Sequence, residues 1–238
     1  MTLPAPLLLL ADSRLPAGGH AHSGGLEPAA GTGAVTDLPS LAAFLHGRLA
    51  TAGLVTAALS AAACALAAGT ANGPASAGGG AGAGHEGWTV LDAEADARMP
   101  SPAGRRASRA QGRSLLRAVR GMSPHPVLDA LGAFPAPHHP LVLGAAVAVA
   151  GGSPAEAASI GAYGAVTGPA SAAVRLLGLD PLAVHRVLAE LASQVDAVAA
   201  EAAASAGGDP EALPAASAPA LDVLAELHLQ ADLRLFES

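Results

Sequence analysis

Asp180-Pro181-Leu182-Ala183-Val184-His185-Arg186-Val187-Leu188-Ala189-Glu190-Leu191-Ala192-Ser193-Gln194-Val195-Asp196-Ala197-Val198 is the most regular stretch of this chain. Asp180 is placed to accept the free amides of a first helical turn. Pro181 suits that turn, because an N–H there has no helical partner. Val184, Val187, Leu188, Leu191, Val195 and Val198 then recur at three- and four-residue steps, which puts them on one face of an α-helix.

Working outward, the same punctuation repeats. Gly178 stops the preceding helix. Ser153-Pro154-Ala155-Glu156 is a full capping box with Pro at the first helical position. Ser101-Pro102 and Ser123-Pro124 mark two further starts. Asp37 caps a helix beginning near Pro39, whose apolar residues Leu41, Phe44, Leu45 and Leu49 continue, with a break at Gly53, to Ala68. Residues 3–12 form a short apolar helix and residues 219–229 a last one, with a loop around Asp209-Pro210 between it and its predecessor. Residues 69–87, almost all Gly, Ala, Ser and Pro, are expected to be a flexible loop inserted between helices. The expectation is one all-α domain over 1–238, a bundle of eight to ten helices without strand alternation or repeat.

Composition agrees. The chain is 51% hydrophobic but only 2% aromatic, so Leu, Val and Ala must fill the core. Ala is the strongest helix former. All twelve basic residues are Arg and none is Lys, which rules out a P-loop and any Schiff-base enzyme, since both need a lysine amine. A net charge of −7 argues against general nucleic-acid binding. Cys64 is the single cysteine, so no internal disulfide and no cysteine-built zinc site is possible. Leu7–Leu10 lacks a basic flank and is followed by Asp12 and Arg14, which does not make a signal peptide. A cytoplasmic location is expected. Leu49–Ala68 is twenty residues without a formal charge, long enough to span a bilayer. Half of it is Ala, with Thr, Ser and Gly mixed in, which favours a buried bundle helix over the alternative, a small Ala-rich membrane protein.

Few residues carry chemistry. Ala21-His22-Ser23-Gly24-Gly25 resembles a nucleophile elbow, but Pro and Gly precede it where a strand is needed. A hydrolase using Ser23 is therefore the lesser alternative to a turn whose hydroxyl bonds local backbone. His20 and His22 with His138 and His139 have imidazoles that suit nickel or zinc, yet more than a hundred residues separate the pairs; no metal or cofactor is assigned. No carboxylates stand paired for acid/base work. Arg109, Arg113 and Arg117 follow at i, i+4 and i+8, a strip on one helix face able to fork acidic groups of a partner. Gly112 in that helix costs about 1 kcal/mol relative to Ala, and close approach of another backbone would explain it.

One stretch is specific. Leu8 to Glu27, reading LLLADSRLPAGGHAHSGGLE, resembles the opening signature of the UreF family of urease accessory proteins. Arg106-Ala107-Ser108 with Gln111-Gly112-Arg113, Ala173-Val174-Arg175-Leu176-Leu177, and His228 through Arg234-Leu235-Phe236 resemble later segments of that family in order. The resemblance implies a helical homodimer that catalyses nothing itself. It would join two other accessory proteins, the D/H scaffold and the G-type GTPase, and act with them on apo-urease as nickel is inserted. It also implies that Gly18, Gly19, His20, His22, Ser23, Glu27, Arg175, Arg234, Leu235 and Phe236 contact partners. His20 stands where many members have Tyr. Arg175 matches a position, Lys in some members, linked to GTPase control. Arg234 matches a tail arginine implicated in recruiting the GTPase.

Overall fold

The computed structural model describes residues 4–17, 22–72, 80–231 and 235–236. Among these residues the regular structure is helical: α1 (Ala5–Ala11), α2 (Leu26–Gly31), α3 (Leu38–Arg48), α4 (Leu54–Asn72), α5 (Gly80–Ala97), α6 (Pro102–Met122), α7 (Pro126–Gly132), α8 (His139–Val149), α9 (Pro154–Leu177), α10 (Pro181–Ala204) and α11 (Pro219–Leu229). The expected caps are in place. Asp37 and Ser40 form a reciprocal capping box at α3, Ser153 and Glu156 another at α9. Asp180 accepts from the amides of Leu182 and Ala183 at α10.

One start lies elsewhere. Ser123 closes α6 instead of opening α7, and His125 caps α7 by accepting from the Val127 amide at 3.2 Å. A residue before proline is pushed to extended backbone. His125, at φ −155° and ψ 140°, obeys that rule, so the helix waits for Pro126. The stretch expected as a loop is shorter than 69–87. α4 runs on to Asn72 and α5 begins at Gly80, and residues 73–79 lie outside the described residues.

Helix α4 is the axis of the bundle, packed against α8, α9, α10 and α5. A single π-helical turn, Leu49–Gly53, splices it to α3. The two helices thereby run as one rod over Leu38–Thr70, of mean hydropathy 1.9, the one helix among the described residues long and apolar enough to cross a membrane. Of its most apolar window, 67% is buried inside the protein, as a core helix must be. The inward residues are small: Ala57, Ala58, Ala61, Ala63 and Cys64 are completely buried. α8 comes close enough that a Cβ on Gly144 would lie 2.1 Å from the Ser60 carbonyl oxygen. Close helix contact replaces the bulk that aromatic side chains supply elsewhere. On α10, Val184, Val187, Leu191 and Val198 are buried, and Leu188 and Val195 pack partly buried beside them.

Two polar clasps position the rest. Arg109 on α6 bonds Asp92 and Asp96 of α5 at 2.9 and 2.7 Å and the Ala136 carbonyl at 2.6 Å. Arg98, its side chain 6% exposed, pairs with Glu94 and donates to the carbonyls of Pro210, Glu211, Leu213 and Pro214. It thereby holds the segment that leads to α11. Glu226 on α11 completes the join by accepting from Ser101 and from the Ala103 amide at the start of α6.

Candidate functional site

The turn before α2 is built by Gly24 and Gly25, both at positive φ, 60° and 89°. Ser23 at its centre is completely buried, and its Oγ accepts from the Glu27 amide at 3.1 Å. That bond starts α2. It is the role of a local capping hydroxyl, and it aims the side chain inward. Glu27, in the first turn of α2, faces the other way. One carboxylate oxygen accepts from the Leu235 amide at 2.7 Å and the other from the Phe236 amide at 2.8 Å. His228 of α11 adds a bond to the Phe236 carbonyl at 3.1 Å, with its Nε2 3.4 Å from the same Glu27 carboxylate. That geometry requires Nε2 to carry a proton.

Phe236 is buried within its own chain, with the Arg175 guanidinium over its ring at 4.3 Å, a cation–π contact. Leu235 points out and is 80% exposed. Thus Glu27, Arg175, Leu235 and Phe236, from three distant parts of the sequence, share one patch. Gly18, Gly19, His20 and Arg234 lie outside the described residues. Sequence reasoning named Glu27 as a partner contact; in the fold both its carboxylate oxygens are taken by the chain's own tail amides, with His228 beside them, a role that no local pattern around either residue signals.

Behind this patch lies a cleft of about 900 Å³ between the N-terminal turn and helices α6, α8, α9 and α11, lined among others by His22, Arg48, Ser108, His139, Tyr163 and Arg175. The chain therefore brings His22 and His139 to one cavity. Burial, and then the nearby His22 imidazole, push the His139 pKa down to about 4, which keeps that ring neutral at physiological pH. His138 goes elsewhere. Fully buried, it bonds Ser108 through Nδ1 and Asp96 through Nε2, each at 2.9 Å.

Asp92, Asp96 and His138 bring ligand-type atoms within 4.8 Å of one another. The two carboxylates are thus paired after all, at i and i+4 on α5. Arg109 occupies both, and both nitrogens of His138 are already engaged, so this is an ion-pair network joining three helices and not acid/base machinery. Gly112 belongs to the same join. A Cβ there would sit 2.0 Å from the Pro137 carbonyl oxygen, the close backbone approach that a glycine in mid-helix suggests. The arginine strip divides accordingly: Arg109 is spent inside the protein, whereas Arg113 and Arg117 are exposed beside a shallow hollow floored by Leu116 and Phe134.

Fold and site define an all-helical, single-domain protein whose opening turn, ninth-helix arginine and closing tail form one surface. Comparison with known proteins places it further. The UreF family model matches residues 35–192. Urease accessory protein UreF of Mycolicibacterium vanbaalenii is 44% identical over 238 residues, and that of Mycobacterium sp. strain JLS 45%, each alignment covering 100% of both chains. The protein of the same name from Mycobacterium tuberculosis H37Rv is 41% identical over 241 residues, again along the whole of both. The chain belongs to the UreF family.

Proposed function

We propose that this protein is a cytoplasmic, non-enzymatic chaperone of urease maturation. In this reading it acts as a homodimer that links the D/H scaffold and the G-type GTPase to apo-urease while nickel is inserted. The observation that carries the reading is the join of tail and turn. A solvent-exposed leucine beside a buried phenylalanine, fastened by Glu27 next to Arg175, is what a docking surface needs: a rigid base with an apolar anchor standing out of it. The absence of lysine agrees, since the nucleotide chemistry then belongs to a partner. The adjoining residues Gly18, Gly19, His20, His22 and Arg234 would complete the contact, and Arg113 and Arg117 would offer a second strip to an acidic partner.

The deciding experiment removes residues 232–238 and, separately, substitutes Arg234→Ala in the full chain. Both variants should keep the helical circular dichroism signal and lose capture of the GTPase or scaffold in a pull-down with the co-expressed accessory proteins. A truncated protein that still assembles the complex would refute the proposal.

A further inference from the structure

Among the described residues, four arginines are not exposed: Arg48, Arg98, Arg105 and Arg109. Three of them face a carboxylate, Arg98 with Glu94, Arg105 with Asp96, and Arg109 with Asp92 and Asp96. Arg48 is the exception. Its Nε donates to the Ala165 carbonyl at 3.0 Å, and among the described residues no carboxylate pairs with it. The Ala165 bond has a structural cause. Pro169, four residues on in α9, has no N–H to return to that carbonyl, and Arg48 fills the gap. This uses one of the five guanidinium donors.

The rest of the group lines the cleft. Gly24 lies against it so closely that a Cβ there would be 3.0 Å from both Cζ and Nη2. Neither of the cleft's two acids pairs with Arg48: Asp12 holds Arg14 at 2.9 Å, and Asp222, its pKa raised by burial, accepts from the Ser101 backbone with the like-charged Glu226 nearby. Burial lowers the Arg48 pKa to about 10 with no acid beside it to raise it again. A charge half-withdrawn from water in a cleft, with no carboxylate beside it, favours the arrival of a group of opposite sign. The π-helical turn that begins at Leu49 is a feature that recurs at functional sites.

We propose that Arg48 is the anchor of an oxyanion-binding site in the cleft, its free N–H groups receiving a carboxylate or a small anion of phosphate type. Two parallel N–H donors match the two oxygens of such a group. The oxyanion has two possible sources, a free small anion or the acidic side chain of a docking partner. Only the second depends on the function proposed above.

The test uses the full-length protein with ¹⁵N-labelled arginine. The Nε–H of Arg48, bonded to Ala165, is followed while sodium formate or sodium phosphate is titrated in, with sodium chloride at matched ionic strength as the control. The expected result is a saturable shift of that resonance and a rise in Tm, since a ligand binding only the folded state stabilises it. The rise in Tm should be lost in Arg48→Gln and weakened in Arg48→Lys, which keeps the charge without the fork. If neither anion moves the wild-type resonance beyond the chloride control, the site does not exist, whatever the variants do.

Given a response, partner capture assigns the source. Competition by the same anions, with binding weakened about 30-fold or more in Arg48→Gln, identifies a partner's carboxylate. Capture indifferent to both identifies a free anion and leaves the site standing even if the adaptor reading fails.

Discussion

Glu27 does with one carboxylate what a strand would do with several backbone groups: it pairs two consecutive amides of the tail. Hydrogen bonds to a charged acceptor contribute about 1.5–3 kcal/mol each, so the fastening of residues 235–236 rests on this side chain more than on any apolar contact. Glu27→Ala should therefore raise hydrogen exchange at Leu235 and Phe236 by about tenfold or more, since 1.4 kcal/mol is a factor of about ten. Glu27→Gln should raise it by less, because the amide keeps one acceptor. The melting temperature should fall by only about 3–6 °C, because Phe236 is one residue at the edge of a core built mainly by the helices. Exchange mass spectrometry of the C-terminal peptide reads this directly, and unchanged protection in Glu27→Ala would show that Phe236 alone holds the tail. The importance of Glu27 is visible in the sequence only as membership of a motif. Its partner lies 208 residues away, and nothing local to either end announces the pairing.

At the scale of elements, helix starts are legible in the sequence because caps are local. Asp37, Ser101, Ser153 and Asp180 each act within three residues of themselves. The order of the layers is not legible. That α4 is central, and that α8 presses against it through Gly144, follows from tertiary fit among residues individually as bland as alanine. The α7 start departs from the Ser123-Pro124 expectation for a related reason: two prolines two residues apart compete, and Ser123 is already held at the end of α6 by its N–H bond to the Val119 carbonyl, which leaves His125 to cap the helix that opens at Pro126. Gly112 separates local from tertiary logic by sign. By helix propensity alone, Gly112→Ala should stabilise α6 by about 1 kcal/mol. With the Pro137 oxygen 2.0 Å from the new methyl, the loop over α6 must lift, taking the Arg109 and His138 bonds with it. The expected net is a loss of about 2 kcal/mol or more, which for a chain of this size is a fall of roughly 5 °C in Tm. A Tm equal to or above that of the unaltered protein would mean the loop moves freely.

For the molecule as a whole, acid stability should be governed first by a histidine. His139 has a folded pKa of about 4 against an ordinary 6.5. The unfolded chain therefore binds the extra proton first, and stability fully present above pH 6.5 is lost as pH falls toward 4. Between those two values the loss accrues at about 1.4 kcal/mol for each pH unit, reaching roughly 3 kcal/mol at most. Asp96, held below its usual range by His138 and Arg109 against the opposing effect of burial, adds its own loss only below about pH 4. Urea titrations at about pH 7.5 and about pH 5 should differ accordingly, and His139→Gln should flatten that difference. If the variant loses as much stability between the two pH values as the unaltered protein does, another group is responsible.

The join between Glu27 and residues 235–236 has one more consequence, in time and not in space. Helices α1 to α10 can pack as they leave the ribosome, but the surface that unites the turn with the tail cannot exist until residue 236 has been made and has returned to the beginning. A protein that recognises this surface recognises only chains whose translation has passed residue 236, and a copy terminated before it, however well its bundle folds, goes unseen.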